Sequence, residues 1–399
     1  MLKYLLLGLF ACSVSIYAQS VEWLIKQGWE NNYDLQALEK SVQIADANTR
    51  LAGKWNNPMI NISATDIWLN DPFTRSHEAM QGHLIGISQM VPIGGKLGLQ
   101  KQIAKKEATK ADLALQEQKL QLRAKIYEYA HSAKMAEETI AQLVKFEGNL
   151  HKLERLVTSL YKHQKTNQNI IPTIKILLEN VALKKQNITS KLENFHIQLE
   201  QMTITKVQSI TQTHPMSKVT LVGDVSAHPK IQLLQESISS LQDKAKLEKA
   251  KKYSDLKLGV SFVQRDEKFN NYLNISASIP LSLYGAENTK SSLAQIKALQ
   301  ASNKLTQEKH NMKLQIQILQ NNLNTAHANY QQIKETIIPL QEKIQTNIQT
   351  YNEYAKTPPQ ELITNLNELI TIELRAINEK QKYYNAYSKL SYFDTKGLK

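Results

Sequence analysis

The feature that most constrains this 399-residue chain is a unit that occurs twice. Two period-two stretches joined by a polar loop lead into a helical run far longer than a compact core uses. In the first copy Ile60, Ile62, Ala64 and Trp68 alternate with Asn61, Ser63 and Thr65. Ile85, Ile87 and Val91 then oppose Gly86 and Ser88, with Gln89 on the apolar side. In the second copy Leu256, Leu258, Val260 and Phe262 alternate with Lys257, Gly259 and Ser261, and Leu273, Ile275, Ala277 and Ile279 with Asn274, Ser276 and Ser278. This periodicity predicts strands over about 59–68, 83–92, 255–264 and 272–280, each with one apolar and one small-polar face. About ten residues is the length a tilted strand needs to cross a bilayer. Taken alone, the first hairpin fits the edge of a soluble sandwich equally well.

The helical runs narrow the choice. From Lys96 to Lys162 there is no proline, and apolar residues recur in alternating steps of four and three, from Ala104 through Ala111, Leu122, Ala133 and Leu143 to Leu160. That is an alanine-rich coiled-coil seam, which demands a close neighbour. About 65 helical residues make a rod on the order of 100 Å long. Lys165-Thr166-Asn167-Gln168-Asn169 forms a polar turn, Pro172 sits in a first helical turn, and a return helix runs to about Met202. Thr203 to Ala227, rich in Ser and Thr, has no sustained period and is expected to be a linker. After it Pro229 opens a helix ahead of the second hairpin, and a second long helix follows to about Tyr354, with Leu293, Ile296, Leu299, Met312, Leu323 and Ile333 on its seam. Thr357-Pro358-Pro359 makes the second distal turn before a return helix to about Tyr392. Pro339 should bend the second long helix, a feature the first lacks. Near the start, Ser20 is expected to cap a short helix and Asp34 the next one.

The expected organisation is therefore a signal peptide over residues 1–18, a first repeat over 19–202, a linker over 203–227 and a second repeat over 228–399. The leader reading rests on Lys3, the apolar run Tyr4 to Tyr17 and the small residue Ala18. The only cysteine, Cys12, lies inside that leader; Leu9-Phe10-Ala11-Cys12 loosely matches a lipoprotein processing site and leaves lipidation open. Without another cysteine, disulfides, thiolate zinc sites and thiol nucleophiles are excluded. No run of about twenty apolar residues follows, so a membrane span would have to be a β-barrel. The charge is +13, but Lys and Arg are interspersed with Glu and Gln along helices, the pattern of a solvated face rather than a nucleic-acid site.

Four strands cannot close a barrel, since small barrels need about eight, and an unpaired edge in lipid is prohibitive. Other copies of the chain must complete the ring, and three copies supply twelve strands under cyclic symmetry. The fold class expected is mainly α with a small transmembrane β part: two repeats of helix, β-hairpin and long coiled coil, with the trimeric barrel continued by a helical one.

At this point the chain resembles the TolC family of outer-membrane efflux channels, over essentially the whole length after the leader. The likeness is carried by Gln89-x-x-Pro92-x-Gly94-Gly95-Lys96 after the second strand, by Asn57-Pro58 and His228-Pro229, and by the paired long helices. The motif is nearest the family's heavy-metal efflux branch. The resemblance implies a homotrimer in the outer membrane of a Gram-negative bacterium with a periplasmic helical extension. It also implies outer-membrane lipid, a periplasmic adaptor (membrane fusion protein) and an inner-membrane transporter of the RND type as partners. The implied role is export of small solutes, divalent metal cations among them, through a tripartite pump. A duct for type I protein secretion shares the fold. A periplasmic coiled-coil adaptor predicts a single hairpin, and a soluble coiled-coil scaffold gives the four strands no purpose. The chain departs from the family at Tyr33, where proline is common, and at the distal turns, which lack glycine.

No nucleophile, metal set or cofactor loop emerges, so neither an enzyme nor a cofactor is expected. His77 and His83, six residues apart with Glu78 nearby, offer a weak metal site or, as the favoured reading, solvated loop residues, and His310 and His327 read as helix-surface ones. The strand-to-helix junctions, Pro92, Gly94 and Gly95 in one copy and Pro280 and Gly285 in the other, need glycine for the sharp change of direction. If the tube closes at its far end, Asn169, Thr173, Glu361, Asn365 and Glu368 are the candidates for the constriction, although turn and cap roles explain them equally.

Overall fold

The computed structural model describes residues 19–162, 169–211, 214–218, 224–352 and 358–396. The leader with Cys12, most of the first distal turn and Thr357 lie outside the described residues. The chain divides into two compact units. One comprises Ala37–Glu117 and Ser226–Asn311 and holds the sheet; the other comprises Met1–Gln36, Gln118–Val225 and Met312–Lys399 and is helical. Each unit draws on both sequence repeats, because the long helices leave one unit and continue in the other.

The elements in order are α1 (Val21–Asn31), α2 (Tyr33–Ala52), β1 (Met59–Thr65), β2 (Gly82–Val91), α3 (Lys96–Lys162), α4 (Ile170–Thr203), α5 (Pro229–Ala250), β3 (Leu256–Gln264), β4 (Tyr272–Ser278), α6 (Ala286–Gln332), α7 (Ile338–Asn352) and α8 (Pro359–Ser391). A 3₁₀ turn at Val225–Ala227 precedes α5, and a π-helical segment, Ile333–Ile337, joins α6 to α7. Between α1 and α2 a single residue serves both helices. The backbone N–H of Asn32 donates to Gly28 O, and its side-chain Oδ1 accepts from the N–H groups of Asp34 and Leu35. Asn32, not Asp34, is thus the cap, because Tyr33 is already helical and a cap must precede the first helical residue.

The sheet-bearing unit contains one antiparallel sheet in the order β1-β2-β3-β4, so the two hairpins pair through β2 and β3. Three strands are shorter than their alternation suggests. Asp66 takes a left-handed φ of 52° and ends β1 before Trp68, β4 stops ahead of Pro280, which has no N–H to give, and β3 begins at Leu256. The helices of this unit are clamped by charge. Lys106 Nζ donates to Asp243 Oδ2 and to Ser239 Oγ at 2.6 Å, while Lys246 Nζ reaches Asp243 Oδ1 at 3.0 Å. Asp243 is buried and satisfied by both lysines. Glu107 accepts from Ser240 at 2.8 Å, Lys244 at 3.0 Å and Lys110 at 2.7 Å. Burial pushes its carboxyl pKa up, but these three donors outweigh burial and bring it from 4.5 to about 2.

The buried face of the first part of α6 differs from the expected seam. Leu293, Ile296 and Leu299 are exposed, whereas Ser291, Ala294 and Ala298 are buried. Ser291 Oγ donates to Ala245 O of α5 at 3.0 Å. The small residues let the two backbones approach closely, so the large ones are displaced to the open side. From Met312 onward, with Leu323, Ala326 and Ile333 buried, the large residues return inward.

The helical unit has a core built by α3, α6 and α8 around Met135, Leu323, Ile377, Tyr383 and Tyr384. Part of the expected linker is tied to it. Tyr383 Oη donates to Ser217 O at 2.8 Å and accepts from Ser217 N–H at 2.9 Å, and Tyr384 Oη donates to His214 O at 2.6 Å. Val207 and Ile210 are buried as well, and Gln19 bridges to Ile210. His131 lies beneath this strap, ringed by Tyr127, Tyr384 and Tyr387. Burial, then the nearby His214, depress its pKa to about 3, so the imidazole is neutral at ordinary pH. His327 is buried beside Tyr383 rather than on the helix surface, because α8 covers that face of α6. Buried Arg123 donates to the carbonyls of Ser391, Asp394 and Lys396 and so caps the end of α8.

Two outcomes follow from these contacts. The Glu107 carboxylate has a depressed pKa in the folded state, so its contribution is complete above about pH 4.5 and fades as the pH falls toward 2. Glu107→Gln should therefore lower stability at pH 7 by about 0.5–1 kcal/mol after solvent screening and should flatten the acid limb of a melting-temperature profile. Tyr383→Phe removes both bonds to Ser217 and should cost about 1–2 kcal/mol, with faster hydrogen exchange at the Ser217 amide as the local readout.

Candidate functional site

The two faces of the sheet are chemically opposite, and the register makes each continuous. On one face Ile60, Ile87, Val260 and Ile275 lie in a row across all four strands, and Ile62, Ile85, Phe262 and Leu273 lie in the next. Nearer the helices Leu258 and Ala277 continue this face beside Gln89, and Val91 pairs with Leu256. The large residues of the two full rows are exposed. Exposing side chains of this size costs about 1.5–3 kcal/mol each relative to burial, so the face is built to be covered. The other face carries Asn61, Gly86, Ser261 and Asn274 in one row and Met59, Ser88, Gly259 and Ser276 in another. Asn61 Nδ2 donates to Ser88 Oγ at 3.1 Å. At Gly86 an added Cβ would sit 2.5 Å from the Cβ of Ser261, so only glycine fits between the strands there.

Both outer edges of the sheet, along β1 and β4, are unpaired among the described residues. The loop between β1 and β2 is ordered by buried Gln81, whose Oε1 accepts from the N–H groups of His77 and Glu78 and whose Nε2 donates to Asp66 O at 2.9 Å. His77 stacks on Trp68 and lies 3.2 Å from Asp71, while His83 faces Arg75. The two histidines thus have separate partners. Among the described residues, no group of three or more His, Cys, Asp or Glu is placed to hold a metal ion.

At the junction into α3, Gly94 and Gly95 take φ of 74° and 69°, and Gly285 before α6 takes 68°. Gly94 also passes close to Tyr253, with its Cβ position 3.3 Å from that residue's Cβ. The residue that sequence reasoning left without a role is Lys96. It is buried, pairs with Asp255 at 2.5 Å, and donates to Tyr253 O. Asp255 also accepts from Ile93 N–H at 3.3 Å, and Gln89 Nε2 donates to Asn56 O at 2.9 Å. Gln89, Gly94 and Lys96 are thus each engaged in joining a strand end to its neighbour, while Gly95 O accepts from Leu99 N–H in the first turn of α3. The lysine directly after two glycines was the available signal.

In the helical unit a core cluster of Leu153 and Val157 of α3, Ile174 of α4 and Ile363 of α8 brings together the last part of α3 and the first turns of α4 and α8. Asn169 precedes α4 without a side-chain capping bond, and Thr173 Oγ1 donates back to Asn169 O at 2.9 Å. Glu361 sits in the first turn of α8 and is exposed, as is Glu368. Asn365 stands apart from this exposed set. It is buried against α7, where buried Gln341 donates to its Oδ1 and also approaches Glu368 Oε2 at 3.4 Å. This pair lies just beyond the π-helical segment Ile333–Ile337 and Pro339. The wider π turn takes up the residue that cannot donate a backbone hydrogen bond.

No protein-family model and no curated protein matches the chain. Solved structures do. It is 13% identical to the Campylobacter jejuni CmeC outer membrane channel, with a TM-score of 0.76 over 94% of this chain and 85% of that one. It is 11% identical to the open state of the Neisseria gonorrhoeae MtrE outer membrane channel, with a TM-score of 0.78 over 95% and 89%. Crystal structures of CusC, which concern folding and transmembrane channel formation, match at 15% identity with a TM-score of 0.72 over 95% of both chains. The chain therefore has the TolC-like channel fold, in which long helices carry a small antiparallel sheet.

Proposed function

We propose that the protein is a homotrimeric outer-membrane channel, the exit duct of a tripartite efflux pump. The observation that carries this reading is the sheet: one face with two full rows of exposed apolar side chains, the other with two rows of mainly small and polar residues, and both edges unpaired among the described residues. Each copy supplies four strands, and three copies close a twelve-stranded ring in which every strand is paired. The apolar rows then meet lipid, and the rows of Asn, Ser and Gly line water. The likeness to solved outer-membrane channels supports the same reading.

A periplasmic adaptor and an RND-type inner-membrane transporter are the partners proposed, docked at the end where α4 and α8 begin. Small solutes are the cargo, with divalent metal cations placed first on the likeness of the Gln89-to-Lys96 motif. Rings of Glu361 and Glu368 around a threefold axis would favour cations at the constriction. The π segment with Pro339 is the bend about which α7 and α8 open, held closed by the Gln341–Asn365 bond.

Three measurements test this reading. The detergent-purified chain should be trimeric by mass and should form discrete conductances in planar bilayers; a monomer that stays soluble without detergent refutes it. A deletion strain should become sensitive to divalent metals or small toxic solutes; loss of one secreted protein with unchanged sensitivity would instead assign a type I secretion duct. Asn365→Ala removes the closer of the two acceptors of the buried Gln341 amide, leaving Glu368 Oε2 at 3.4 Å, at a cost of about 1 kcal/mol, and should raise the open fraction, whereas Pro339→Ala should lower it. Unchanged gating in both variants removes the hinge from the proposal.

A further inference from the structure

Among the residues of β1 to β4, Lys257 is the single Lys, Arg, Asp or Glu. By strand alternation it falls on the small-polar face, with Gly259 and Ser261. Its row holds Met90 of β2 and Ser278 of β4, and the next row holds Ser88, Gly259 and Ser276. A glycine and short hydroxyls leave the lysine stem free to stand off the sheet, and Lys257 is half-buried. Among the described residues no acid pairs with it. The acid two residues before it, Asp255, is engaged by Lys96 at 2.5 Å and by the N–H of Ile93 at 3.3 Å. Lys251 and Lys252, exposed in the turn leading into β3, add positive charge at this end of the strand, and Glu248 answers only the first, at 2.5 Å.

The loop end of the same face has the same sign. Arg265, just past β3, lies over the rings of Phe269 and Tyr272 at 5.6 and 5.0 Å. Its guanidinium donates to Ala79 O at 3.0 Å and to Asn270 O at 2.7 Å. Carbonyls and rings hold this group without cancelling its charge. Tyr272 is itself on the small-polar face, opposite Val263. Asp266 and Glu267 follow in the loop and form no ion pair with Arg265 among the described residues. The polar face of the strands thus carries cationic groups at its ends and no carboxylate between them. Rings of Lys or Arg in a pore favour anions, as rings of Asp or Glu favour cations.

We propose that Lys257 sets the charge preference of the barrel lumen, and that the site it builds takes anionic solutes such as carboxylates and phosphates ahead of bare divalent cations. The inference rests on the channel reading and narrows its cargo: a metal passes this point more readily as an anionic complex than as a free ion. In three copies Lys257 forms a ring at the helix-side end of the sheet. Twelve strands about 4.8 Å apart and tilted by about 40° enclose a ring on the order of 25 Å across. The Debye length is about 10 Å at 0.1 M salt and about 30 Å at 0.01 M, so the field of the ring spans the lumen only in dilute salt.

The test measures reversal potentials of the full chain in planar bilayers under a potassium chloride gradient, with Lys257→Arg, Lys257→Gln and Lys257→Glu alongside the unsubstituted channel. The permeability ratio of chloride to potassium should hold in Lys257→Arg, fall by about twofold or more in Lys257→Gln and fall further in Lys257→Glu. The differences should shrink as the salt is raised from 0.01 M to about 0.1 M and beyond. Pyrophosphate, added in dilute salt, should reduce the conductance of the unsubstituted channel by about twofold and that of Lys257→Gln much less. Equal permeability ratios in all four channels overturn the proposal and leave the channel reading standing. Pyrophosphate without effect on the unsubstituted channel overturns it as well, and that measurement needs no variant to fold. Absence of any discrete conductance from the unsubstituted chain overturns the channel reading itself.

Discussion

Everything in this molecule depends on the need of a sheet to finish its hydrogen bonding. Four antiparallel strands pair through three interfaces and leave a ladder of N–H and C=O groups along β1 and another along β4. In water such edges invite uncontrolled pairing; in lipid they are prohibitive. The same strands expose two full rows of large apolar side chains on one face. A single copy satisfies neither demand, so both the edges and the face call for material outside the chain. In the proposed channel, identical copies would answer the first demand and a bilayer the second.

The helices meet a different constraint, which is to hold long rods side by side with little core per turn. They do so with small residues and with charge. Buried Ser291 bonds α6 to α5, and the ion pairs around Asp243 and Glu107 link α3 to α5 within the same unit. In the helical unit the work passes to aromatic residues. Tyr383 and Tyr384 fasten the segment around His214 and Ser217, and Arg123 closes the end of α8. Among the described residues, α6 passes into a π-helical segment at Ile333–Ile337, immediately ahead of Pro339 and the buried Gln341–Asn365 pair. The uninterrupted α3 has no such segment.

How much could be read in advance varies with the range of the interaction. The strands, their two faces and the positions needing glycine were legible because alternation and left-handed φ are properties of a few neighbouring residues. The extent of α3 was legible for the same reason. The buried face of α6 was not, since the heptad pattern marks large residues and the actual contact selects small ones. His327 was misjudged, and the bonds of His214 and Ser217 to α8 were out of reach, because these partners lie far away in sequence. Among the proposed constriction residues, the exposure of Glu361 and Glu368 agrees with a surface role, while the burial of Asn365 came only with the position of α7.

The sequence by itself determined the two-faced strands and the long helices. Both follow from local periodicity. Only the tertiary structure decided that β2 lies beside β3, that Lys96 meets Asp255 and that Gln341 meets Asn365. Pairings of this kind join residues that share no local pattern, and their energies exist only once the chain has brought the two groups out of water together.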